Sequence, residues 1–213
     1  LSKQSLNQSL LYFIAAQHPI PGRSLVDVTA QALAGGVDVV QLREKDLPED
    51  QVLDIAGKLA GLIQSYGKLF LINRYLDVAL AVGAHGVHLG YDGPTPREAR
   101  RILGPAAIIG ASVHSLEEAD KAVDEGADYL LVSHIFPTNS KPGVPPNGLK
   151  LLHQVQSNYS QPVIALGGIN LNNVNRVVAA GCSRIAVMSA LLKAVDVEAE
   201  AKAIKDKLIL KHD

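Results

Sequence analysis

Gln41, Arg43 and Lys45 fall on alternate positions of one extended stretch, which sets an amide, a guanidinium and an ammonium on the same side. That side suits an anionic or carboxylate-bearing ligand, with Arg43 making a forked contact and Lys45 acting as a point charge. Lys45 has a second reading, a rim ion pair with Glu44, Asp46 or a neighbouring loop. His134 closes the apolar run 129–132 just before a proline-rich segment, where an imidazole can exchange protons near neutral pH. His88 and His114 occupy comparable places and compete for that role, and a core histidine bonded to backbone is the ordinary alternative. Gly167-Gly168 and the later Met188-Ser189 pair suit phosphate, because glycine lets backbone amides approach a ligand; the bland alternative is a tight strand-to-helix turn. Asn73 and Ser112 also end apolar runs. No zinc-ligand spacing and no GxSxG nucleophile turn occurs.

Such residues need elements that aim them at one place. Four joins share a design of glycine, a polar residue and then an apolar run, at residues 35–42, 83–89, 126–132 and 181–188. Glycine suits the left-handed position that ends a helix, and the β-branched run after it suits a parallel strand covered on both faces. Further strands are expected at 11–16, 69–73, 107–113 and 162–166, and helices at 25–33, 48–66, 77–82, 96–102, 116–125, 149–156, 172–180 and 197–208. The pattern predicts one α/β domain over residues 1–213, a (β/α)8 TIM barrel with about 1–9 as an N-terminal extension. An open doubly wound sheet has the same alternation, but no GxGxxG follows the first strand. The segment 136–148, with four prolines, reads as a lid over the catalytic face or as a surface insertion.

The 213 residues are 47% hydrophobic and 19% charged, with no Trp and one Met, so aliphatic side chains must fill the core. The 20 basic and 21 acidic residues are dispersed and sum to −1, which argues against nucleic-acid or anionic-membrane partners. A lone cysteine, Cys182, cannot make an intramolecular disulfide, and no signal peptide or membrane span is evident, so a cytoplasmic location is expected.

Several segments together resemble the thiamine phosphate synthase and TenI superfamily over about residues 11–191. They are Val40-Gln41-Leu42-Arg43-Glu44-Lys45, Gly86-Val87-His88-Leu89-Gly90, Ser112-Val113-His114-Ser115-Leu116-Glu117-Glu118-Ala119, Ile135-Phe136-Pro137-Thr138 with Ser140-Lys141-Pro142-Gly143, and Ala165-Leu166-Gly167-Gly168-Ile169. The resemblance implies a TIM barrel and adds Thr138, Ser140 and Lys141 to the substrate-binding candidates. Synthases of this superfamily end the third strand in Asn-Asp-Arg and follow the fourth with Gly-Gln-(Asp or Glu)-Asp, one Asp from each segment serving magnesium. This chain reads Asn73-Arg74-Tyr75 and Gly90-Tyr91-Asp92-Gly93, which puts Arg74 and Gly93 at those positions, with Asp92 next to the second as an alternative ligand.

The TenI branch carries a histidine after the sixth strand, as this chain does in Ser133-His134-Ile135-Phe136. The resemblance therefore leads us to expect a thiazole tautomerase, an isomerase that aromatises a thiazole carboxylate phosphate. His134 would move the proton, Gly168, Met188 and Ser189 would hold the phosphate, and Arg43 or Lys45 would meet the carboxylate. A proton shift needs no metal or other cofactor. The alternative is a synthase joining hydroxymethylpyrimidine pyrophosphate to thiazole phosphate, which would bring in Mg2+. A third reading, from another class, is a non-catalytic phosphate-ligand-binding regulator. The expected partner is a small phosphorylated thiazole, and a homo-oligomer is compatible with the resemblance.

Overall fold

A computed structural model of the chain describes residues 3–17, 22–91, 93–139 and 143–209. In chain order, its first half holds α1 (Lys3–Gln8), β1 (Leu11–Ala15), α2 (Leu25–Ala34), β2 (Val39–Leu42), α3 (Glu49–Ser65), β3 (Leu69–Asn73), α4 (Leu76–Ala81), β4 (Gly86–Leu89) and α5 (Pro96–Leu103). The second half holds β5 (Ile108–Val113), α6 (Leu116–Asp124), β6 (Tyr129–Ser133), α7 (Gly148–Asn158), β7 (Val163–Leu166), α8 (Val174–Ala179), β8 (Ile185–Val187), α9 (Ser189–Leu192) and α10 (Val197–Ile209). The strands are parallel and close in sequence order, β8 returning to β1 with Leu11 opposite Ile185 and Phe13 opposite Val187. This is the expected (β/α)8 barrel.

Alternation along each strand splits the apolar residues into two clusters. Leu11, Phe13, Val40, Leu42 and their counterparts pack outward under the helices. Tyr12, Ile14, Leu71, Tyr129, Leu131 and Ile164 form a separate cluster that fills the lower lumen. Leu6 of α1 joins that inner cluster at 1% exposure, so the stretch expected as an extension is a helix that stoppers the barrel floor.

The polar residue in the repeated joins has a structural job. Asp38 accepts the N–H groups of Leu10 and Leu11, His85 Nδ1 accepts that of Phe70, and Asp128 accepts that of Ile109, at 2.8–3.1 Å. Each serves an amide at or next to the start of a strand, at the N-terminal face. Asp38 is also bonded to Lys68 and Lys205, which joins α10 to the floor. Burial opposes its charge, yet the Lys205 contact and the two amides hold its carboxyl below the ordinary value. The glycines of the same joins, Gly36, Gly83, Gly126 and Gly181, all take positive φ, as a left-handed helix end requires.

Helix starts follow capping chemistry. Ser24 and Asp27 form a reciprocal capping box on α2, Thr95 and Glu98 do so on α5 with Pro96 in its first turn, and Ser115 caps α6. α8 begins at Val174, two residues later than the expected helix, because Asn170 and Asn173 make a turn first, with Asn170 N–H bonded to Asn173 Oδ1 at 2.9 Å. No helix among the described residues is long and apolar enough to cross a membrane.

Gly110 faces the lumen at the level of Tyr129, and a Cβ there would lie 1.9 Å from the ring. Gly110→Ala should therefore destabilise the fold by roughly 1–3 kcal/mol or more, read as a lower urea midpoint at unchanged slope. An unchanged midpoint would show that the lumen repacks freely.

Candidate active site

Above the apolar fill, the inward positions become polar: Gln41 on β2, Asn73 on β3, His88 on β4, Ser112 on β5 and Ser133 on β6. They floor a cavity of about 340 Å³ that opens at the C-terminal ends of the strands, where barrel enzymes work. Gln41 Nε2 donates to Asn73 Oδ1 at 3.3 Å, so these two amides orient one another.

Each cationic and loop candidate in the described residues lies on this cavity. Arg43 and Lys45 line one part together with Arg74, while Gly168, Met188 and Ser189 line another and Thr138 reaches it from the loop after β6. Ser140 and Lys141 lie outside the described residues. The cations follow β2 and β3 and the small residues follow β7 and β8, so different strands supply the two kinds of lining.

His88 is not a proton shuttle. Its Nε2 lies 2.8 Å from Ser112 Oγ and its Nδ1 2.9 Å from Tyr129 Oη, and the ring stacks on Tyr129. Burial, with the Arg43 charge second, pushes its pKa down to about 3. It is a neutral strut that fixes the Ser112 hydroxyl.

His114 is tethered by Glu118, whose Oε2 is 3.0 Å from Nδ1, and its Nε2 lies 3.2 Å from Ser133 Oγ. His134 also lines the cavity, at 3% exposure. Its Nε2 donates to the Val144 carbonyl at 3.2 Å, and Asn147 bonds back to the carbonyls of Ser133 and His134. His134 thus anchors the proline-rich loop, while its buried Nδ1 has no protein partner.

The double glycine has a packing cause. A Cβ on Gly167 would come within 2.3 Å of His134 Cβ, and one on Gly168 within 2.5 Å of the Pro137 carbonyl. Phe136 N–H bonds to the Gly167 carbonyl at 3.0 Å, and the Arg176 guanidinium stacks on the Phe136 ring. The start of the loop lies directly on these glycines, so packing accounts for their identity, and the amides at Gly168 do not begin α8.

Arg74 and Ser133 were absent from the expected binding set. Ser133 was legible from the alternation Tyr129, Leu131, Ser133, which carries the inward face to the cavity. Arg74 entered the sequence reading only as the loss of a carboxylate, yet it places a cation on the cavity wall.

A metal does not fit the residues at hand. The two positions given to magnesium ligands in the synthase pattern are spatial neighbours here, since a Cβ on Gly93 would lie 3.7 Å from Arg74 Cβ. One is a cation and the other has no side chain. Among the described residues the cavity wall has no Asp or Glu, and no group of three or more His, Cys, Asp or Glu could hold a metal ion. Asp92 lies outside the described residues.

A closed parallel barrel with a polar, cationic cavity at the C-terminal strand ends defines the chain as a (β/α)8-barrel enzyme. Comparison with known proteins gives the family: the pattern described as "Thiamine monophosphate synthase" matches residues 11–191, and the chain belongs to that family. It is 44% identical to the thiamine-phosphate synthase of Shouchella clausii, over 91% of this chain and 93% of that one. It is 42% identical to the thiamine-phosphate synthase of Thermus thermophilus, over 93% of this chain and 96% of that one. The solved thiamine phosphate pyrophosphorylase of Pyrococcus furiosus superposes with a TM-score of 0.87 at 35% identity, covering 97% of this chain and 98% of that chain.

These relatives overturn the expected thiazole tautomerase. Its case rested on a few strand-end residues, whereas chain-long identity of 42–44% ties this protein to enzymes named synthases. The physical weakness of that case is also visible, because the histidine that carried it is built into the anchorage of the loop.

If His88 is the neutral strut described, its ring resonances should stay constant from pH 8 to about pH 5, where a free imidazole titrates near 6.5. Because the folded pKa lies below the unfolded one, His88 costs no stability above about pH 6.5. Between 6.5 and about 3 the unfolded chain alone takes the proton, so stability should fall by up to about 1.4 kcal/mol per pH unit. A His88→Gln variant should show a shallower fall, and titration of the His88 ring near 6.5 would refute the assignment.

Proposed function

We propose that the chain is a thiamine-phosphate synthase, a transferase that joins hydroxymethylpyrimidine pyrophosphate to thiazole phosphate with release of pyrophosphate. The observation that carries this is 44% identity over 91% of the chain to a protein of that name. A cavity lined by cations after β2 and β3 and by small residues after β7 and β8 offers contacts to two phosphorylated substrates.

In this reading the bond between the pyrimidine substituent and pyrophosphate breaks with its electron pair on the pyrophosphate oxygen, and a bond to the thiazole replaces it. Negative charge therefore gathers on the departing group. Arg43 and Lys45, in the segment that follows β2, stabilise that charge from the cavity wall. Gln41 and Asn73, already oriented toward one another, present amide groups to the pyrimidine, and Ser112, fixed by His88, adds a hydroxyl.

Thiazole phosphate takes the wall made by Gly168, Met188 and Ser189, with Thr138, Ser140 and Lys141 contributed by the loop. His134 keeps the base of that loop in place so that it can exclude water from the reacting atoms. No step in this scheme is routed through a metal.

Purified protein given both substrates should form thiamine phosphate and pyrophosphate in equal amounts. Arg43→Met should lower kcat/KM by about 10²–10³-fold while the fold, followed by circular dichroism, stays intact. Failure to form thiamine phosphate from both substrates under any divalent-ion condition would sink the reading.

A further inference from the structure

We infer that Arg74 completes, with Arg43 and Lys45, a diphosphate-binding wall that works without a divalent metal. The inference rests on the synthase reading for the identity of the substrate, but its structural grounds are independent. Three side chains of one sign line one cavity whose described wall holds no carboxylate. A free divalent cation would be repelled there, and a polyanion would be drawn in.

The setting of Arg74 shows how a side chain can take over an ion's place. It follows the last residue of β3 and takes φ 59°, a left-handed conformation that is strained for a non-glycine residue. Its N–H is fixed on the His88 carbonyl of β4 at 2.9 Å. The guanidinium lies 4.8 Å from the Tyr75 ring centre and donates to Tyr75 Oη at 3.0 Å, and that hydroxyl donates in turn to the Leu47 carbonyl. Arg74 is therefore tethered at both ends.

A guanidinium has five N–H donors, and the tyrosine takes one, which leaves planar donors of the kind that phosphate oxygens accept in pairs. Gly93 supplies the room. With no side chain on Gly93, that position itself offers no carboxylate to Arg74, whereas an aspartate in its place would pair with the guanidinium. The pair Arg74 and Gly93 thus replaces two negative charges and an ion by one fixed positive charge.

The test is calorimetric titration of the full chain with inorganic pyrophosphate, in excess EDTA and again in excess magnesium. Saturable binding in EDTA is expected, and Arg74→Gln should weaken it about 10- to 100-fold at an unchanged melting temperature. Arg74→Lys, which keeps the charge and loses the fork, should fall between, and it serves as the readout if the glutamine variant is unstable. Arg74→Asp should abolish metal-free binding and make what remains rise with magnesium.

Wild-type binding that appears only with magnesium would overturn the inference, as would unaltered affinity in Arg74→Gln or loss of magnesium-dependent binding in Asp92→Asn. The readout needs no turnover. Metal-free pyrophosphate binding without thiamine phosphate formation defeats the synthase reading alone. Thiamine phosphate formation whose pyrophosphate binding requires magnesium defeats the present inference alone.

Discussion

A closed eight-stranded barrel has a lumen of nearly fixed width, and every second residue of each strand must point into it. That constraint governs the molecule. Along β6 the inward residues run Tyr129, Leu131, Ser133, and along β3 they run Leu69, Leu71, Asn73, so each strand passes from apolar fill to a polar tip within its own length. The apolar layers make the barrel solid, and the polar tips cannot be buried without partners, so they turn to one another and to the cavity. Gln41 pairs with Asn73, and His88 with both Ser112 and Tyr129. The active face is the place where filling stops.

The opposite face solves a different problem. Strands that start abruptly leave amides without partners, and Asp38, His85 and Asp128 take them up from neighbouring strands while Leu6 closes the hole. Asp38 extends this work outward through Lys68 and Lys205. The floor is thus closed by packing and hydrogen bonds, whereas the rim carries strained or exposed features such as Arg74 at φ 59° and Tyr91 at 88% exposure. Residues that stabilise and residues that bind are thus separated along the barrel axis.

Much of this is legible in the sequence, because parallel strands covered on both faces are continuous apolar runs and their helices end on glycine. The four strands given bounds fall within a residue of them, as β3 does at Leu69–Asn73, and the other four end within a residue of the ends of the repeated joins, as β2 does at Leu42. What escaped were features set by tertiary packing. The stretch that forms α1 has only Leu6 to bury, and its partner is the barrel lumen, which exists only once all strands close. The neutral state of His88 likewise depends on Tyr129 and Ser112, 41 and 24 residues away. The packing duty of Gly167 and Gly168 is equally hidden, because the sequence does not show that the loop after β6 will be laid upon them.

The misreading of the reaction has the same root. Strand-end residues define which charges face a cavity, and here they were read by what they had lost. In sequence Arg74 marks an absent carboxylate; in the folded chain it is a cation on the same cavity as Arg43 and Lys45. A metal held by two carboxylates and a tethered guanidinium are different ways to put positive charge beside a polyanion, and both stabilise a departing pyrophosphate. They differ in cost: the ion must be captured anew, whereas Arg74 is held by folding itself through Tyr75 and the His88 carbonyl. Loss of a metal ligand therefore speaks to how charge is supplied at this rim, and it leaves open which bond the charge serves. On that question, identity along the whole chain to proteins named thiamine-phosphate synthases weighs more than a few strand-end residues.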